Sequence, residues 1–317
     1  MKKTILILIL AIASLGFAGA KEDYEAAQKL AQNKKYDESI QALDKIAKGT
    51  DKEYAVRSNY QLGSYYVSKQ DYATAKKYLL AAVSDSTNKA PEALESLYRL
   101  ANVYFQEKDL VNAEKYLVEV NRRTENKDAG YLTDLIIYYL ETNQGTKADA
   151  KYKSAMQSLS KDQAAVLANY MGEYYVNKSD LVKAQSYFSE AIKDSASKGS
   201  AATAFRLGQI AITNGNKEEA EKYFIMMNEK TEWKDEEALK VLGIFYLDTQ
   251  NYDKAEETLK KAIAINPKNL EARVILLELY ETKNDQNSVS RMISEIKAIQ
   301  PVAVNKNLGI YFAEAGN

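Results

Sequence analysis

Apolar residues along the chain fall into paired sets, and each set has the spacing of one helix face. In the clearest copy, Leu242, Gly243 and Tyr246 follow the i, i+1, i+4 spacing of a helix. A second set with the i, i+4, i+7 spacing comes after a short polar turn: Ala255, Leu259 and Ala262. Each pair of sets therefore predicts two helices joined by a tight turn, a helical hairpin.

The paired pattern repeats along nearly the whole chain after residue 20. Four further copies keep the same offsets and have as their leading residues Leu62-Gly63, Leu100-Ala101, Met171-Gly172 and Leu207-Gly208. Three weaker copies carry Ala26-Ala27, Leu135-Ile136 and Leu276-Leu277 at this position, and a half copy with Leu308-Gly309 ends the chain. One hairpin cannot bury its own apolar faces, so the copies are expected to stack on one another.

Two kinds of residue, a short polar one and a glycine, recur at fixed positions of the repeat. A short polar residue recurs where the second helix is expected to begin: Asp71, Asp109, Asp180, Asn216, Asn251 and Asp285. Such side chains accept hydrogen bonds from the first amide groups of a helix, so these positions are predicted N-caps. Glycine recurs in the first helix at Gly63, Gly172, Gly208 and Gly243. Glycine inside a helix costs about 1 kcal/mol relative to alanine, so its recurrence predicts a close approach of the two helices.

This repeat resembles the tetratricopeptide repeat family, whose period is about 34 residues. The resemblance covers nearly all of residues 21–317. It implies an all-α fold, namely an α-solenoid in the form of a right-handed superhelix of about eight hairpins plus a C-terminal helix. It also implies a non-catalytic scaffold that binds a protein or peptide partner.

Tyrosine is abundant, with 24 residues, but ten of them have a structural explanation. They occupy one recurring position in the first helices and one in the second: Tyr66, Tyr104, Tyr139, Tyr175, Tyr246 and Tyr280, then Tyr78, Tyr116, Tyr187 and Tyr223. We expect these rings to pack between helices with their hydroxyl groups reaching the surface.

The resemblance also implies a binding groove, lined by the side of each first helix that faces away from its partner helix. The positions on that side are Gln28, Tyr60, Ser64, Tyr98, Asn102, Asn169, Glu173, Phe205 and Gln209, with Arg99 and Arg206 one residue beyond Tyr98 and Phe205. Amide side chains can bond a peptide backbone as donor and acceptor, and aromatic rings supply apolar contact area. The alternative interpretation is an ordinary hydrated polar surface.

Composition narrows the possible chemistry. The chain has 317 residues, 46% of them apolar, and a formal net charge of −1, which argues against a nucleic-acid partner. It contains neither cysteine nor histidine, which excludes disulfides, thiolate nucleophiles, imidazole bases and metal sites built on these residues. We predict no catalytic residues, no metal and no cofactor. A cell-wall glycosidase remains an alternative, although the sequence cannot place two facing carboxyl groups.

The N-terminal residues have the features of a secretory signal peptide. Lys2 and Lys3 precede an apolar run from Ile5 to Phe17, and small residues follow at positions 18–20. The run is shorter than the roughly 20 apolar residues of a spanning helix, which disfavours an uncleaved anchor. We therefore expect a signal peptide over residues 1–20, a single repeat domain over residues 21–317 without a membrane span, and a periplasmic or secreted location.

The C-terminal residues show apolar side chains at helical spacing, with no second helix to cover them. Val304, Leu308 and Phe312 form this predicted patch. Apolar patches of this kind mark interaction surfaces, so we expect a homo-oligomer or a docked partner at this end. The alternative is that these side chains fold back onto the eighth hairpin.

Export is tested directly by the N-terminus of the natural protein. Signal peptidase cleavage after Ala20 leaves a chain that begins at Lys21. N-terminal sequencing of protein from the envelope fraction is expected to read Lys21 first. A chain that starts at Met1 and sediments with the membranes would contradict the prediction.

Overall fold

The computed structural model describes residues 19–193 and 199–299. Over these ranges the chain forms sixteen helices that pair into eight hairpins, which confirms the predicted all-α solenoid class. Contacts divide the chain between Gln163 and Ala164 into two compact units, unit 1 and unit 2, and each is described by itself.

Unit 1 contains the first four hairpins. Its helices are α1 (Ala20–Gln32), α2 (Tyr36–Ala47), α3 (Lys52–Ser68), α4 (Tyr72–Ala82), α5 (Pro91–Gln106), α6 (Leu110–Arg123), α7 (Ala129–Glu141) and α8 (Gly145–Ser158). Each odd-numbered helix packs against the even-numbered helix that follows it. The first helices of neighbouring hairpins also touch, α1 with α3 and α3 with α5, so they form one continuous layer.

Unit 2 repeats this arrangement. Its helices are α9 (Lys161–Asn177), whose first three residues precede the division, α10 (Leu181–Ile192), α11 (Gly199–Thr213), α12 (Lys217–Lys230), α13 (Glu236–Asp248), α14 (Tyr252–Ile265), α15 (Leu270–Thr282) and α16 (Gln286–Ile299). A single apolar core runs from α11 to α16, with Leu242, Leu259 and Leu276 almost fully buried. None of the helices in residues 19–193 and 199–299 is long and apolar enough to cross a membrane.

The recurring glycines lie where the two helices of a hairpin meet. A Cβ atom added to Gly63 would lie 2.5 Å from Cδ2 of Leu79, and one added to Gly243 would lie 2.7 Å from Cδ2 of Leu259. At Gly172 and Gly208 the added Cβ would lie 2.5 Å from a ring carbon of Phe188 or Phe224. These distances are shorter than any van der Waals contact between carbon atoms. The predicted close approach is confirmed, and a large second-helix side chain fills the space that each glycine leaves.

The turn inside each hairpin has the same geometry throughout. The residue before the second-helix N-cap has a positive φ in all eight hairpins, and it is a glycine only at Gly215. In a typical turn the Asp71 amide donates to the carbonyl of Tyr66 at 3.0 Å, which closes the first helix with a Schellman bond.

Five of the six predicted N-caps are confirmed. The side chains that accept a hydrogen bond from the third residue beyond them are Asp71, Asp109, Asp180, Asn216 and Asp285. The side-chain cap predicted at Asn251 is wrong, because its amide accepts no such bond. Asn251 has the same backbone geometry as the other caps and its carbonyl receives the Ala255 amide at 3.0 Å. The backbone alone therefore starts this helix, and the exposed amide group faces solvent.

The tyrosines at the two recurring positions pair within a hairpin. Three such pairs stack with ring planes 7° apart and centroids 5.4–5.7 Å apart: Tyr66 with Tyr78, Tyr104 with Tyr116 and Tyr175 with Tyr187.

Two other tyrosines at the first-helix position make hydrogen bonds through their hydroxyl groups. Tyr246 donates to Glu221 at 3.0 Å, and Tyr280 donates to Glu256 at 3.0 Å. These bonds join each hairpin to the preceding one, a role that the repeat pattern did not predict.

Buried polar side chains also join neighbouring hairpins. The Asn121 amide donates to the carbonyls of Leu117 and Tyr131, both at 2.9 Å, and Asn228 makes the equivalent pair of bonds in unit 2. The side chain of Arg123 is only 4% exposed, and it donates to the carbonyls of Val83 and Asn88 at 3.0 Å. Such bonds satisfy backbone acceptors at the inter-hairpin turns, where no helix partner exists.

The helix contact at Gly243 generates a test of the assigned register. Gly243→Leu places a large side chain against Leu259 and is expected to cost roughly 1–3 kcal/mol of folding free energy as overpacking. Glu257→Leu changes an exposed position on the next helix and is expected to stay within about 0.5 kcal/mol. Thermal melting of both variants measures the difference, and equal melting temperatures would contradict the register.

Candidate functional site

The predicted groove residues of unit 1 lie on its layer of first helices. Tyr60 and Ser64 lie on α3, while Tyr98, Arg99 and Asn102 lie on α5. Gln28 lies exposed on α1. Ser64 donates to the Tyr60 carbonyl of its own helix at 2.8 Å. The structure therefore gathers these residues on one layer, but the Ser64 hydroxyl bonds within its own helix.

Arg99 is held by its own chain. Its guanidinium carbon lies 5.4 Å from the centre of the Tyr60 ring, within the range of a cation–π interaction. Its Nη2 atom lies 3.3 Å from Glu95 Oε1 and 3.5 Å from the Tyr60 hydroxyl. This contact joins α3 to α5. The charge of Arg99 is thus already paired within the chain, so this side chain is poorly suited to bind a partner's carboxylate.

Tyr98 and Asn102 lie at a cleft between α5 and α7, which we call the α5–α7 cleft. It has a volume of about 210 Å³, and its lining consists of Tyr98, Ala101, Asn102, Phe105, Leu117, Asp134, Ile137, Tyr138 and Glu141. Asn102 lies one helical turn after Tyr98 on α5, and it is exposed. The ring of Phe105 meets that of Tyr138 edge to face, with centroids 6.1 Å apart. The Tyr138 hydroxyl is anchored on the Leu110 carbonyl at 2.7 Å, so this wall is fixed.

Asp134 is the unusual group of the α5–α7 cleft. Among the hydrogen bonds and ion pairs of the described ranges, none involves its carboxyl group. Burial, together with the smaller effect of the nearby carboxylates of Glu95 and Asp128, raises the pKa of Asp134 to about 6. Burial, followed by the same carboxylates, also raises the pKa of Tyr131 to about 12. The electrostatic environment of the cleft is therefore negative and partly desolvated.

The repeat register contains a signal from which Asp134 could have been predicted as a groove residue. It precedes Leu135 as Arg99 precedes Leu100 and as Arg206 precedes Leu207, so all three hold the same position. The fourth copy lacks a small residue after its leucine and is weak, which hid this equivalence. Phe105 and Tyr138 had no comparable signal, because their meeting depends on how α5 packs against α7.

The predicted residues of unit 2 form a polar network between α9 and α11. Thr203 donates to Asn169 Oδ1 at 2.7 Å, and Arg206 Nε lies 2.7 Å from Glu173 Oε1. Arg206 also donates to Gln209 at 3.3 Å. Four of the five predicted residues of this unit thus lie on α9 and α11 with partners in the chain: Asn169 bonds to Thr203, while Arg206 pairs with Glu173 and Gln209.

Phe205 lies apart from that network. It lines a cleft of about 900 Å³ whose other walls are Ala201, Ala202, Met227, Lys230, Thr231, Glu232, Asp235, Glu237, Ala238 and Val241. Its ring packs against Phe224 with centroids 6.3 Å apart. No group of three or more ionisable side chains in residues 19–193 and 199–299 could hold a metal ion. Val304, Leu308 and Phe312, the predicted C-terminal surface, lie outside the described residues, as do residues 1–18 of the predicted signal peptide.

These features describe a repeat protein of stacked helical hairpins with a side-chain cleft on its first helices. Comparison with protein families agrees with that class. Residues 12–125 match the SusR N-terminal TPR domain, and residues 201–225 and 236–269 each match a tetratricopeptide repeat. The matches support a tetratricopeptide repeat protein, and that family consists generally of non-catalytic scaffolds.

Several solved structures are similar to this chain. The C-terminal part of a TPR repeat-containing protein from Cytophaga hutchinsonii has a TM-score of 0.48 at 15% identity, and the match covers 76% of this chain and 95% of that one. YrrB, a TPR protein with an unusual peptide-binding site, has a TM-score of 0.42 at 20% identity over 58% and 92%. PilF of Pseudomonas aeruginosa has a TM-score of 0.41 at 16% identity over 66% and 93%. Comparison with curated proteins finds no match.

The half-buried carboxyl group of Asp134 generates a pH-dependent prediction. Because the pKa of Asp134 is raised in the folded chain, folding is favoured by the neutral form of its carboxyl group. The fold keeps its full stability below about pH 4, where the group is neutral, and loses stability as the pH rises through about 6 and the group becomes charged. At about pH 7.5 the charged group, facing Glu95 and Asp128, destabilises the fold. Asp134→Asn is therefore expected to raise the free energy of unfolding by about 1–2 kcal/mol at that pH, after allowance for solvent screening.

Urea denaturation of the wild type and of Asp134→Asn at several pH values measures this effect. The gain is expected to shrink toward zero as the pH falls to about 4. Asp149→Asn, an exposed change on α8 of the same unit, is the control and is expected to show no such pH dependence. If Asp134→Asn raises the free energy of unfolding by the same amount at every pH, the charge of Asp134 does not destabilise the fold.

Proposed function

We propose that this protein is an exported, non-catalytic scaffold that binds a peptide segment of a protein partner. The observation that carries the proposal is the α5–α7 cleft, where Tyr98 and Asn102 line an opening beside the rings of Phe105 and Tyr138. Aromatic side chains with few conformational degrees of freedom are the usual anchors of binding surfaces. An amide beside them can bond a peptide backbone as donor and acceptor.

The neighbouring first helices extend this surface. Tyr24 of α1 lies against Tyr54 of α3, with ring centroids 5.7 Å apart, and Tyr98 of α5 lies 6.2 Å from Tyr131 of α7. The Tyr60–Arg99 contact joins α3 to α5. Aromatic side chains thus follow one another across four helices, which suits an extended segment better than a compact small molecule.

The exported location rests on the N-terminal sequence pattern, and the non-catalytic role rests on the absence of histidine and cysteine from the sequence together with the repeat class. Self-association through Val304, Leu308 and Phe312 rests on the sequence alone and is a separate proposal. Light scattering of the protein over a concentration series tests it, and a constant monomer mass would reject it.

Groove binding is tested by capture of the partner on purified protein. Tyr98→Ala combined with Asn102→Ala removes an aromatic and an amide from the cleft without touching a glycine contact or a helix cap. Proteins from an envelope extract that the wild type retains are expected to be lost by this double variant, while its circular dichroism stays helical. A partner found in this way is then purified and its affinity for each variant is measured.

The matched control changes an exposed tyrosine and a polar residue on a second helix. Tyr36→Ala combined with Gln41→Ala alters α2, which is not part of the first-helix layer. This control is expected to retain the partner at wild-type strength. Retention of the partner by the Tyr98 and Asn102 double variant would place the binding surface elsewhere.

A further inference from the structure

The size of the α5–α7 cleft limits what it can hold. Its volume of about 210 Å³ is below the roughly 300–1,000 Å³ of pockets that enclose a whole small molecule. An opening of this size is suited to one long side chain. Ala101 and Leu117 form its apolar floor, so the stem of such a side chain would meet carbon atoms on the way in.

The walls of the cleft select the charge of that side chain. The side chains of Tyr98, Phe105 and Tyr138 line it, and aromatic rings attract cations. Asp134 and Glu141 bring two carboxyl groups to the same lining. An acidic side chain would be repelled, while a purely apolar one would bury Asp134 further without compensating its charge.

The charged groups around the cleft also favour a cationic side chain. Glu95 on α5 and Asp128 at the start of α7 are the charges that act on Asp134, and both are negative. Arg99, on the same helix as Glu95, is already engaged by Glu95 and by the Tyr60 ring. In contrast, the acidic side chains that join other hairpins have a lysine of their own, as Glu114 has Lys147 and Glu221 has Lys254. Asp134 therefore differs from these structural acids.

We infer that the α5–α7 cleft binds a lysine or arginine side chain of the partner peptide, with Asp134 as its counter-ion and Tyr98, Phe105 and Tyr138 as its aromatic walls. This inference rests on the proposed peptide-binding function and specifies which peptides are recognised. A cation here would compensate a carboxylate that the chain leaves without a partner. The tyrosines on α1, α3 and α5 would contact the peptide residues that flank this basic side chain.

Peptide selection tests the inference. A random heptapeptide library displayed on phage is selected on wild-type protein, on Asp134→Asn and on the exposed control Asp149→Asn. Wild-type and Asp149→Asn proteins are expected to enrich peptides that share a lysine or arginine, and Asp134→Asn is expected to lose that preference. Since asparagine has nearly the same shape as aspartate, the variant keeps the cleft and removes only the charge.

A second measurement uses one enriched peptide labelled for fluorescence anisotropy. Replacement of its arginine by citrulline, which is neutral and nearly the same shape, is expected to weaken binding to the wild type at least about tenfold. The same replacement is expected to change binding to Asp134→Asn much less, because the charge has then lost its partner.

The outcomes separate the inference from the proposed function. If no peptide is enriched on the wild type above a bare support, the proposed function fails and the inference fails with it. If peptides are enriched without a basic residue, or equally on Asp134→Asn, peptide binding stands and the inference is overturned. An equal loss on citrulline replacement in both proteins would also overturn the role of Asp134.

Discussion

The close contact between the two helices of each hairpin is the constraint on which the rest of the structure depends. Where a glycine removes the Cβ atom, the facing leucine or phenylalanine of the second helix moves in to distances that no other residue would allow. That contact sets the register of one helix on the other. With the register set, the stacked tyrosine pairs, the turn with its positive φ and the cap of the second helix follow as local consequences.

Polar groups then set how one hairpin sits on the next. Asn121 and Asn228 each bind a carbonyl of the following first helix, and tyrosine hydroxyl groups bind carboxylates of the preceding second helix. Hydrogen bonds are directional, whereas apolar packing tolerates sliding, so these buried bonds define the stacking more sharply than the leucines can. Within unit 1 this stacking aligns α3, α5 and α7, and it creates the α5–α7 cleft between two of them.

Asp134 differs from the carboxylates that form ion pairs between or within the hairpins. Glu119, for example, pairs with two arginines that hold the pKa of Glu119 down to about 2. At Asp134 burial and like charges act together in the opposite direction. A group that lowers stability at neutral pH is typical of a binding site, because the ligand supplies the compensation that the free protein lacks.

The sequence by itself determined the hairpins, their number, the glycine contacts and five of the six second-helix caps, because all of these depend on residues within one repeat. It also placed Tyr60, Tyr98, Arg99 and Asn102 on one layer of helices. Only the tertiary structure decided that Arg99 lies over the Tyr60 ring, that Phe205 lines a cleft which does not include Asn169, and that Phe105, Asp134 and Tyr138 line one cleft. These contacts join residues about one repeat apart, and they depend on the rotation between successive hairpins, which the spacing of apolar residues along the chain does not specify.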